Sequence, residues 1–301
     1  MQKFSSKLLL FGEYALLYGA PALCVPAPRW RGFWEKKDLS VGKDTRLEAW
    51  AASDHLQQAD FFDVGRFRED IERGWRFASN IPQGYGLGSS GALCAGAYAR
   101  YGARDTDNPT LLKARLAQME SWFHGASSGI DPLTSLLDTP LLIEGERCAA
   151  LGQGALAVAD APFRIRLFDT RIARSTGPLV TWFKSQMDGK GPLFEAFEQA
   201  HAPDLRQLSA AWQNRDAALV WEKLRAVSAW QYAHLRPMIP PAFRDVWLDI
   251  LRSEDLIVKL CGAGGGGFML CFARNGADLG AILPDATTLD PFERLETDEA
   301  I

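Results

Sequence analysis

The sequence predicts a two-domain protein of mixed α/β and α+β class, with domains at residues 1–172 and 173–301. Three observations support this prediction. The chain has 301 residues, which is long enough for two domains. Short apolar runs alternate with segments of helical periodicity in the first part of the chain. After Ser175 the pattern becomes mostly helical, and this change predicts a domain boundary near residue 172.

Composition and charge narrow the class of protein. Apolar residues make up 47% and charged residues 23% of the chain, and the net charge is -4. This charge argues against nucleic acid or an acidic membrane surface as the main partner, but small anionic ligands bind locally and stay possible. Five scattered cysteines without a CxxC pair favour a reducing cytoplasm over a zinc or disulfide framework. We expect neither a signal peptide nor a membrane span, because Glu13 interrupts the first apolar run and no run approaches about 18 residues.

The elements of the first domain follow from periodicity and breakers. The run KLLLF at residues 7–11 ends at a glycine and predicts a buried strand. Residues 35–70 are polar and weakly patterned, so we expect strands and loops there. Segments 89–101 and 109–124 predict helices, the second because Pro stands near its start and its apolar residues have helical spacing. Residues 131–137 predict a further helix, and residues 140–143 a strand.

The second domain is predicted to be rich in helices and to close with strands. The sequence FRIRLF at residues 163–168 predicts a strand, and helices are expected in residues 175–186, 205–235 and 241–251. Strands at 257–260 and 268–272 flank a glycine cluster. Four tryptophans of the helical part are expected in the core, where large aromatic side chains stabilise packing: Trp212, Trp221, Trp230 and Trp247.

A glycine-rich loop opens the helix predicted at 89–101. Its sequence, PQGYGLGSSGA from Pro82, contains GxGxxG, but a dinucleotide site needs a strong strand before the loop, and Pro82 interrupts that segment. The loop lacks the lysine of a P-loop, and the chain lacks the VAIK, HRD and DFG segments of a protein kinase. Because N–H groups at a helix N-terminus attract anions, and Ser89 and Ser90 can bind phosphate or Mg²⁺, the loop predicts a phosphate site. A glycine turn capped by serine is the alternative.

Two further segments carry candidate chemistry. Glu120 and His124 share a helix face, and Asp131 follows a turn of small residues, so the two carboxylates can converge on a cation and a hydroxyl. A solvated glutamate and an N-cap aspartate are the alternative. The sequence KLCGAGGGGF at 259–268 has four consecutive glycines, which elsewhere indicate a linker. Since apolar strands flank them directly, we expect a hairpin whose backbone closely approaches a ligand.

In this order the motifs resemble those of the GHMP kinase superfamily, which includes galactokinase, homoserine kinase and mevalonate kinase. The first is KLLLFGEYALLYG, the second is the glycine-serine loop and the third is the glycine cluster; the resemblance spans about residues 5–272. It is strongest for the mevalonate kinase family. Lys7 and Glu13 keep the spacing of that family's first motif, residues 120–131 match E-x-x-x-H-G followed by S-G-[IV]-D, and Ser175-Thr176 matches the segment that opens its second domain.

The resemblance implies a fold and an activity. The fold would be the two-domain GHMP kinase fold, with a ribosomal-S5-like α/β domain, a ferredoxin-like α+β domain and the active site between them. The activity would be an ATP- and Mg²⁺-dependent kinase acting on a primary hydroxyl, that of mevalonate first. A kinase for phosphomevalonate, a sugar or another hydroxy acid, and a non-catalytic ligand-binding homologue, stay open. A small-molecule substrate would be the partner, and the protein would be a monomer or homodimer.

The resemblance also implies roles for individual residues. Asp131 would be the catalytic base, with Lys7 beside it neutralising charge. Mg²⁺ would be held by Ser90 and Glu120. The nucleotide loop would comprise Gly86, Leu87, Gly88, Ser89, Ser90 and Gly91. The substrate side would comprise Glu13, Tyr14, His124, Thr176, Gly264 and Gly265.

Departures from the family pattern lie on the substrate side. Tyr14 replaces a histidine, Cys261 a threonine and Phe268 a cysteine, whereas the phosphate, metal and base positions are intact. The identity of the acceptor is therefore the open question. The carboxylate of mevalonate needs a cationic or hydroxyl partner, for which Tyr14, Arg171 and Arg174 are candidates.

Overall fold

The computed structural model describes residues 2–38, 42, 44–151, 161–172, 176–274, 276–277 and 288–295. Within this part of the chain, two antiparallel sheets are each covered by helices. Ser175 and Arg174 lie outside the described residues. Thr176 begins a helix, but its side chain is not described.

The first sheet is built around one long strand. Its strands are β1 (Lys3–Phe11), β2 (Ala22–Lys36), β3 (Trp75–Ser79), β4 (Leu141–Glu144) and β5 (Arg147–Ala150). The start of β2 pairs with β4, its end pairs with β3, and β1 runs along its other side. The strand predicted at residues 7–11 is confirmed and extends back to Lys3, so Lys7 is fixed within a sheet rather than on a loop.

The helices of the first domain include two whose predicted bounds are confirmed. They are α1 (Thr45–Ala51), α2 (Asp54–Gln57), α3 (Val64–Glu72), α4 (Ser89–Tyr101), α5 (Pro109–His124) and α6 (Ile130–Leu137), with a 3₁₀ turn at Ala15–Tyr18. α4 and α5 begin and end as predicted.

The prediction of strands and loops at residues 35–70 was wrong for about half of that segment. α1, α2 and α3 occupy it, and each is too short to show a clear period in the sequence. The side chains of Asp44 and Asp63 accept hydrogen bonds from backbone N–H groups at the starts of α1 and α3. Buried Trp50 and Phe67 anchor the two helices, so tertiary packing stabilises what local propensity does not.

The second sheet has the order β7–β8–β6–β9. Its strands are β6 (Phe163–Asp169), β7 (Leu256–Leu260), β8 (Phe268–Arg274) and β9 (Thr288–Leu289). Both strands predicted around the glycine cluster are confirmed, and they form one antiparallel hairpin. β6 pairs with β8 and belongs to the second sheet, whereas β5 pairs with β4 in the first. The domain boundary near residue 172 stays a prediction.

Helices cover the second sheet as the sequence predicts. They are α7 (Thr176–Asp188), α8 (Pro192–Ala196), α9 (Ala202–Gln213), α10 (Ala217–His234) and α11 (Arg244–Arg252), with a π-helical turn at Phe197–His201 and 3₁₀ turns at Arg236–Met238 and Pro241–Phe243. The four tryptophans predicted in the core are all buried. One hydrophobic cluster joins the domains, and Phe11 of β1 lies 6.1 Å from Trp212 of α9, ring centre to ring centre. The end of β1 therefore lies where the two domains meet.

Candidate active site

The glycine-serine loop passes directly over two charged side chains. Gly88 is the N-cap of α4 and has a φ of 73°, which a residue with a side chain rarely adopts. A Cβ on Gly88 would lie 2.9 Å from Cγ of Lys7, and one on Gly91 would lie 2.9 Å from Cβ of Asp131. The missing side chains therefore let the N-terminus of α4, with Ser89 and Ser90 in its first turn, approach both charges.

Lys7 and Asp131 form the ion pair at the centre of the site. The distance from Nζ of Lys7 to Oδ2 of Asp131 is 2.9 Å. The N–H of Lys7 donates to the carbonyl of Leu87 at 3.0 Å, which ties the loop to β1. Burial alone would lower the pKa of Lys7, but the charge and hydrogen bond of Asp131 outweigh it, so the pKa is raised. Lys7 stays charged, while one third of the Asp131 side chain is exposed (33%) and can meet a ligand.

The start of α6 fixes Asp131. Gly129 is the N-cap of α6 with a φ of 72°, and Asp131 is the second residue of the helix. A Cβ on Gly129 would lie 2.1 Å from the carbonyl oxygen of Lys113 in α5. This glycine therefore allows α5 and α6 to pack closely and brings Asp131 next to the residues of α5.

Ser90, Glu120 and His124 form a second cluster beside this pair. The hydroxyl of Ser90 donates to Oε1 of Glu120 at 3.0 Å and lies 2.8 Å from Nε2 of His124. Ser127 donates to the other carboxylate oxygen of Glu120 at 2.5 Å. The structure thus places His124, expected on the substrate side, against Ser90. The alternative of a solvated Glu120 and an N-cap Asp131 is excluded, because Glu120 is buried among these groups and the N-cap of α6 is Gly129.

Burial and like charge act on the ionisation of this cluster. Burial and the negative charge of Asp131 raise the pKa of Glu120 to about 7, against the hydrogen bonds of Ser127 and Ser90 and the charge of Lys7. Burial lowers the pKa of His124. A cation that binds beside a carboxyl group with a raised pKa favours the loss of its proton.

The oxygens of Ser90 and Glu120 fit a magnesium ion. Mg²⁺ takes hard oxygen ligands in octahedral geometry at about 2.1 Å, so neighbouring ligands lie about 2.9 Å apart. Oγ of Ser90 and Oε1 of Glu120 are 3.0 Å apart. Across the described ranges, no group of three or more His, Cys, Asp or Glu side chains is arranged to hold a metal. An ion at this place would complete its ligands with phosphate oxygens and water, as Mg²⁺ does in nucleotide sites.

The glycine cluster forms the turn of the β7–β8 hairpin, which excludes the linker alternative. Gly264 and Gly265 have φ values of 70° and 77°. The N–H of Gly265 donates to the carbonyl of Met238 at 2.6 Å, and a Cβ on Gly264 would lie 2.6 Å from the same oxygen. In the described residues this close backbone approach is made to another part of the chain, and the expected approach to a ligand stays a prediction.

Glu13 and Tyr14 contact this hairpin. Oε1 of Glu13 contacts Nζ of Lys259, and both side chains are buried (1% and 0% exposed). The hydroxyl of Tyr14 donates to the carbonyl of Ala263 at 2.6 Å. Lys259 was not among the site residues predicted from the sequence. The signal was present, because Lys259 is a single charged residue in the otherwise apolar strand LIVKL and therefore needs a buried partner.

The remaining substrate-side candidates are only partly described. Arg171 follows β6 with a φ of 54°, and its N–H donates to Oδ1 of Asp169 at 2.8 Å. It stands next to Ile172, whose carbonyl accepts from the N–H of Gly267 at 2.8 Å. Arg171 is thereby placed beside the glycine hairpin.

Part of the first domain matches a known protein family. Residues 49–138, which run from α1 to the end of α6 and include the loop, Glu120 and Asp131, match the family described as GHMP kinases N terminal domain. Solved GHMP kinase structures share the fold over nearly the whole chain. Residues 49–138 thus match this family, and the chain has the two-domain fold of the solved kinases.

The chain is similar to mevalonate and phosphomevalonate kinases. It is 26% identical over 230 residues to the mevalonate kinase of Arabidopsis thaliana; the match covers 69% of this chain but only 58% of that relative. The L. major mevalonate kinase in complex with R-mevalonate has a TM-score of 0.65 at 16% identity, covering 94% of this chain and 90% of its own. The Streptococcus pneumoniae phosphomevalonate kinase in complex with phosphomevalonate and AMPPNP has a TM-score of 0.65 at 16% identity, covering 94% of each chain. Likeness at this identity establishes the fold.

A helix that spans a membrane must be both long and apolar. In the part of the chain that the structure describes, none combines the length and the apolar character that a membrane span requires.

Proposed function

We propose that the protein is an ATP-dependent kinase that transfers the γ-phosphoryl group to a primary hydroxyl of a small molecule, most directly that of mevalonate. One observation carries the proposal. The Lys7–Asp131 ion pair of 2.9 Å lies directly beneath Gly88, and the oxygens of Ser90 and Glu120 lie beside it. A base, a fixed positive charge, a helix N-terminus and a pair of metal-binding oxygens thus share one site.

This arrangement fits the demands of phosphoryl transfer. The reaction asks the protein mainly to position the reactants and to neutralise charge on the transferred group. Asp131 would orient the acceptor hydroxyl and accept its proton as the oxygen attacks phosphorus. Lys7, kept charged by Asp131, would stabilise the developing negative charge. The residues of the loop, Gly86 to Gly91, would cradle the triphosphate through backbone N–H groups.

Ser90 and Glu120 would hold the magnesium ion. When bound, Mg²⁺ supplies positive charge that neutralises the phosphates. Ser90 lies in the first turn of α4, so its hydroxyl and the helix N-terminus would contact the same ligand. His124, through its contact with Ser90, and Ser127, through its bond to Glu120, would hold these two ligands in place.

The acceptor side would lie toward the glycine hairpin. Gly264 and Gly265 would border the acceptor, with Glu13, Tyr14 and Thr176 on the same side. Arg171, beside the hairpin, is our candidate for the carboxylate of mevalonate. The similarity to the Arabidopsis thaliana mevalonate kinase supports mevalonate as acceptor. The likeness to the phosphomevalonate kinase of Streptococcus pneumoniae makes phosphomevalonate the second candidate.

An acceptor panel tests this assignment. Purified protein would be supplied with ATP and Mg²⁺ together with mevalonate, phosphomevalonate, a hexose or a simple hydroxy acid, and ADP would be measured by a coupled assay. We expect the highest kcat/KM with mevalonate and recovery of 5-phosphomevalonate. A higher kcat/KM with phosphomevalonate, or no turnover of mevalonate above the blank, would overturn the mevalonate assignment.

We further propose a cytoplasmic setting. The five cysteines are all buried. Burial raises the pKa of the Cys24 and Cys271 thiols to about 12, so these thiols stay protonated and unreactive. Thiols of this kind suit a reducing compartment.

A further inference from the structure

A buried polar cluster joins the first sequence motif to the third, and the proposed chemistry does not use it. Glu13 and Tyr14 directly follow β1, the strand that carries Lys7. Lys259 is in β7 and Ala263 is in the glycine hairpin. The two links, Glu13 to Lys259 and Tyr14 to Ala263, span 246 and 249 positions of sequence. We refer to these four residues as the interdomain clamp.

The ion pair of the clamp is an unusual way to join two domains. A buried ion pair loses so much hydration that an apolar pair of similar size is often at least as stable. The loss is partly offset here, because Nζ of Lys259 also donates to the carbonyl of Leu260 at 2.7 Å. Oε2 of Glu13, however, has no hydrogen-bond partner in the described part of the chain. Such a pair is better suited to fixing one arrangement of two parts than to adding stability.

Tyr14, which donates a hydrogen bond to the hairpin, has a strained backbone conformation. Its φ is 59°, a region that residues other than glycine, asparagine and aspartate seldom occupy. Its ring lies 4.7 Å from that of Phe183 in α7, and the side chain is buried. Strain of this kind persists where surrounding contacts require it. The contact it serves here is the hydrogen bond from the hydroxyl to Ala263.

The hairpin beyond Ala263 is seated by backbone bonds. The N–H of Gly265 donates to Met238, and the N–H of Gly267 donates to Ile172. Because glycine has no side chain, the backbone of the turn itself can adopt many conformations. The clamp contacts the N-terminal end of the turn, at Lys259 and Ala263, and connects it to the end of β1. A shift of Ala263 therefore changes where Gly264 and Gly265 lie relative to Lys7 and Asp131.

We infer that the interdomain clamp sets the position of the glycine hairpin over the acceptor side of the site, so that Glu13, Tyr14 and Lys259 are positioning residues. This inference rests on the proposed kinase function for its kinetic consequence and on the structure alone for the clamp itself. Tyr14, which stands where the mevalonate kinase family has histidine, would act through Ala263 and not by binding the acceptor. The nucleotide loop is tied to β1 independently, through Lys7 and Leu87.

The test compares two tyrosines of the same segment. Tyr14→Phe removes the hydroxyl that donates to Ala263. Tyr18→Phe is the matched control, because its hydroxyl donates to Asp188 at the exposed surface at 3.0 Å and its ring also packs on Phe183. For Tyr14→Phe we expect an acceptor KM raised about three- to tenfold, the effect of one lost hydrogen bond. The Kd for ATP should stay within about twofold of wild type, and Tyr18→Phe should match wild type in both.

A second measurement needs no enzymatic activity. Amide hydrogen exchange of residues 261–267 should be faster in Tyr14→Phe than in Tyr18→Phe, because the hairpin is released at Ala263. The double variant Glu13→Gln/Lys259→Met removes the ion pair without leaving a buried charge, and it should show the same faster exchange. Equal exchange and equal acceptor KM in the two tyrosine variants would overturn the clamp. If wild type turns over no acceptor, the kinase proposal fails, and the exchange comparison still decides the clamp.

Discussion

At the scale of single residues, Asp131 and Lys7 carry the proposed chemistry. The resemblance of the sequence motifs implied both roles, and the structure places the two side chains 2.9 Å apart although they are far apart in the chain. The sequence could not show the contacts made by the neighbouring carboxylates, Glu120 and Glu13. Ser127 on Glu120 and Lys259 on Glu13 are contacts across turns and domains, and no spacing rule encodes which buried oxygen a distant hydroxyl or ammonium will reach.

Replacing Asp131 tests its role as the base. Asp131→Asn keeps the size of the side chain but cannot accept a proton, so we expect kcat to fall by about 10²- to 10⁴-fold. The Kd for ATP, measured by calorimetry, should stay near that of wild type, because the loop and the metal-binding oxygens are retained. Asp138→Asn is the control, since Asp138 is the exposed C-cap of the same helix and asparagine accepts its left-handed backbone. A normal kcat in Asp131→Asn would remove this residue from the mechanism.

At the scale of elements, the site depends on where α4, α5 and α6 begin and end. The bounds of α4 and α5 were predictable because small residues, a proline at the start and helical spacing mark them clearly. α1, α2 and α3 were not, because each has only four to nine residues and draws its stability from tertiary contacts. The hairpin at the third motif was predictable from its flanking strands, but its seat on Met238 was not.

Two glycines of the loop separate backbone strain from displacement of Lys7. Gly84 and Gly88 have φ values of 78° and 73°, so alanine at either position costs about 1 kcal/mol in backbone strain. An added Cβ meets nothing within 4 Å at Gly84 but lies 2.9 Å from Lys7 at Gly88. We therefore expect Gly88→Ala to lower kcat at least about tenfold more than Gly84→Ala, since small misplacements at a reacting centre are costly. Steady-state kinetics of both variants checks this, and equal losses would argue against close packing of the loop on Lys7.

At the scale of the whole molecule, a shared core and the interdomain clamp hold the two domains together. The class of fold was predictable from the change of pattern along the chain, but the point where the sheets change was not. β6 reads as an ordinary strand, and only its pairing with β8 assigns it to the second sheet. The helical layer of the second domain also buries His201 against Trp230, with ring centres 3.9 Å apart.

His201 makes the stability of the molecule depend on pH. Burial first, and then the charge of Lys259, lowers the pKa of His201 from 6.5 to about 3. Between these values the unfolded chain binds a proton at this residue that the folded chain does not, so His201 lowers stability only below pH 6.5, and increasingly as the pH falls toward 3. The loss from this residue is at most about 1.4 kcal/mol per pH unit. Urea unfolding at pH 7 and pH 5 should show a smaller loss for His201→Phe than for wild type, and equal losses would contradict the assignment.

The most direct test of the central claim is whether ADP formation depends on an acceptor. Wild-type protein with ATP and Mg²⁺ would be followed for ADP and for the phosphorylated product, with and without each acceptor of the panel. We predict that ADP appears only when a hydroxyl acceptor is present and that one phosphorylated acceptor forms per ADP. Tight binding of ATP with no acceptor-dependent ADP would contradict the account and would indicate a protein of the same fold that binds ligands without catalysing transfer.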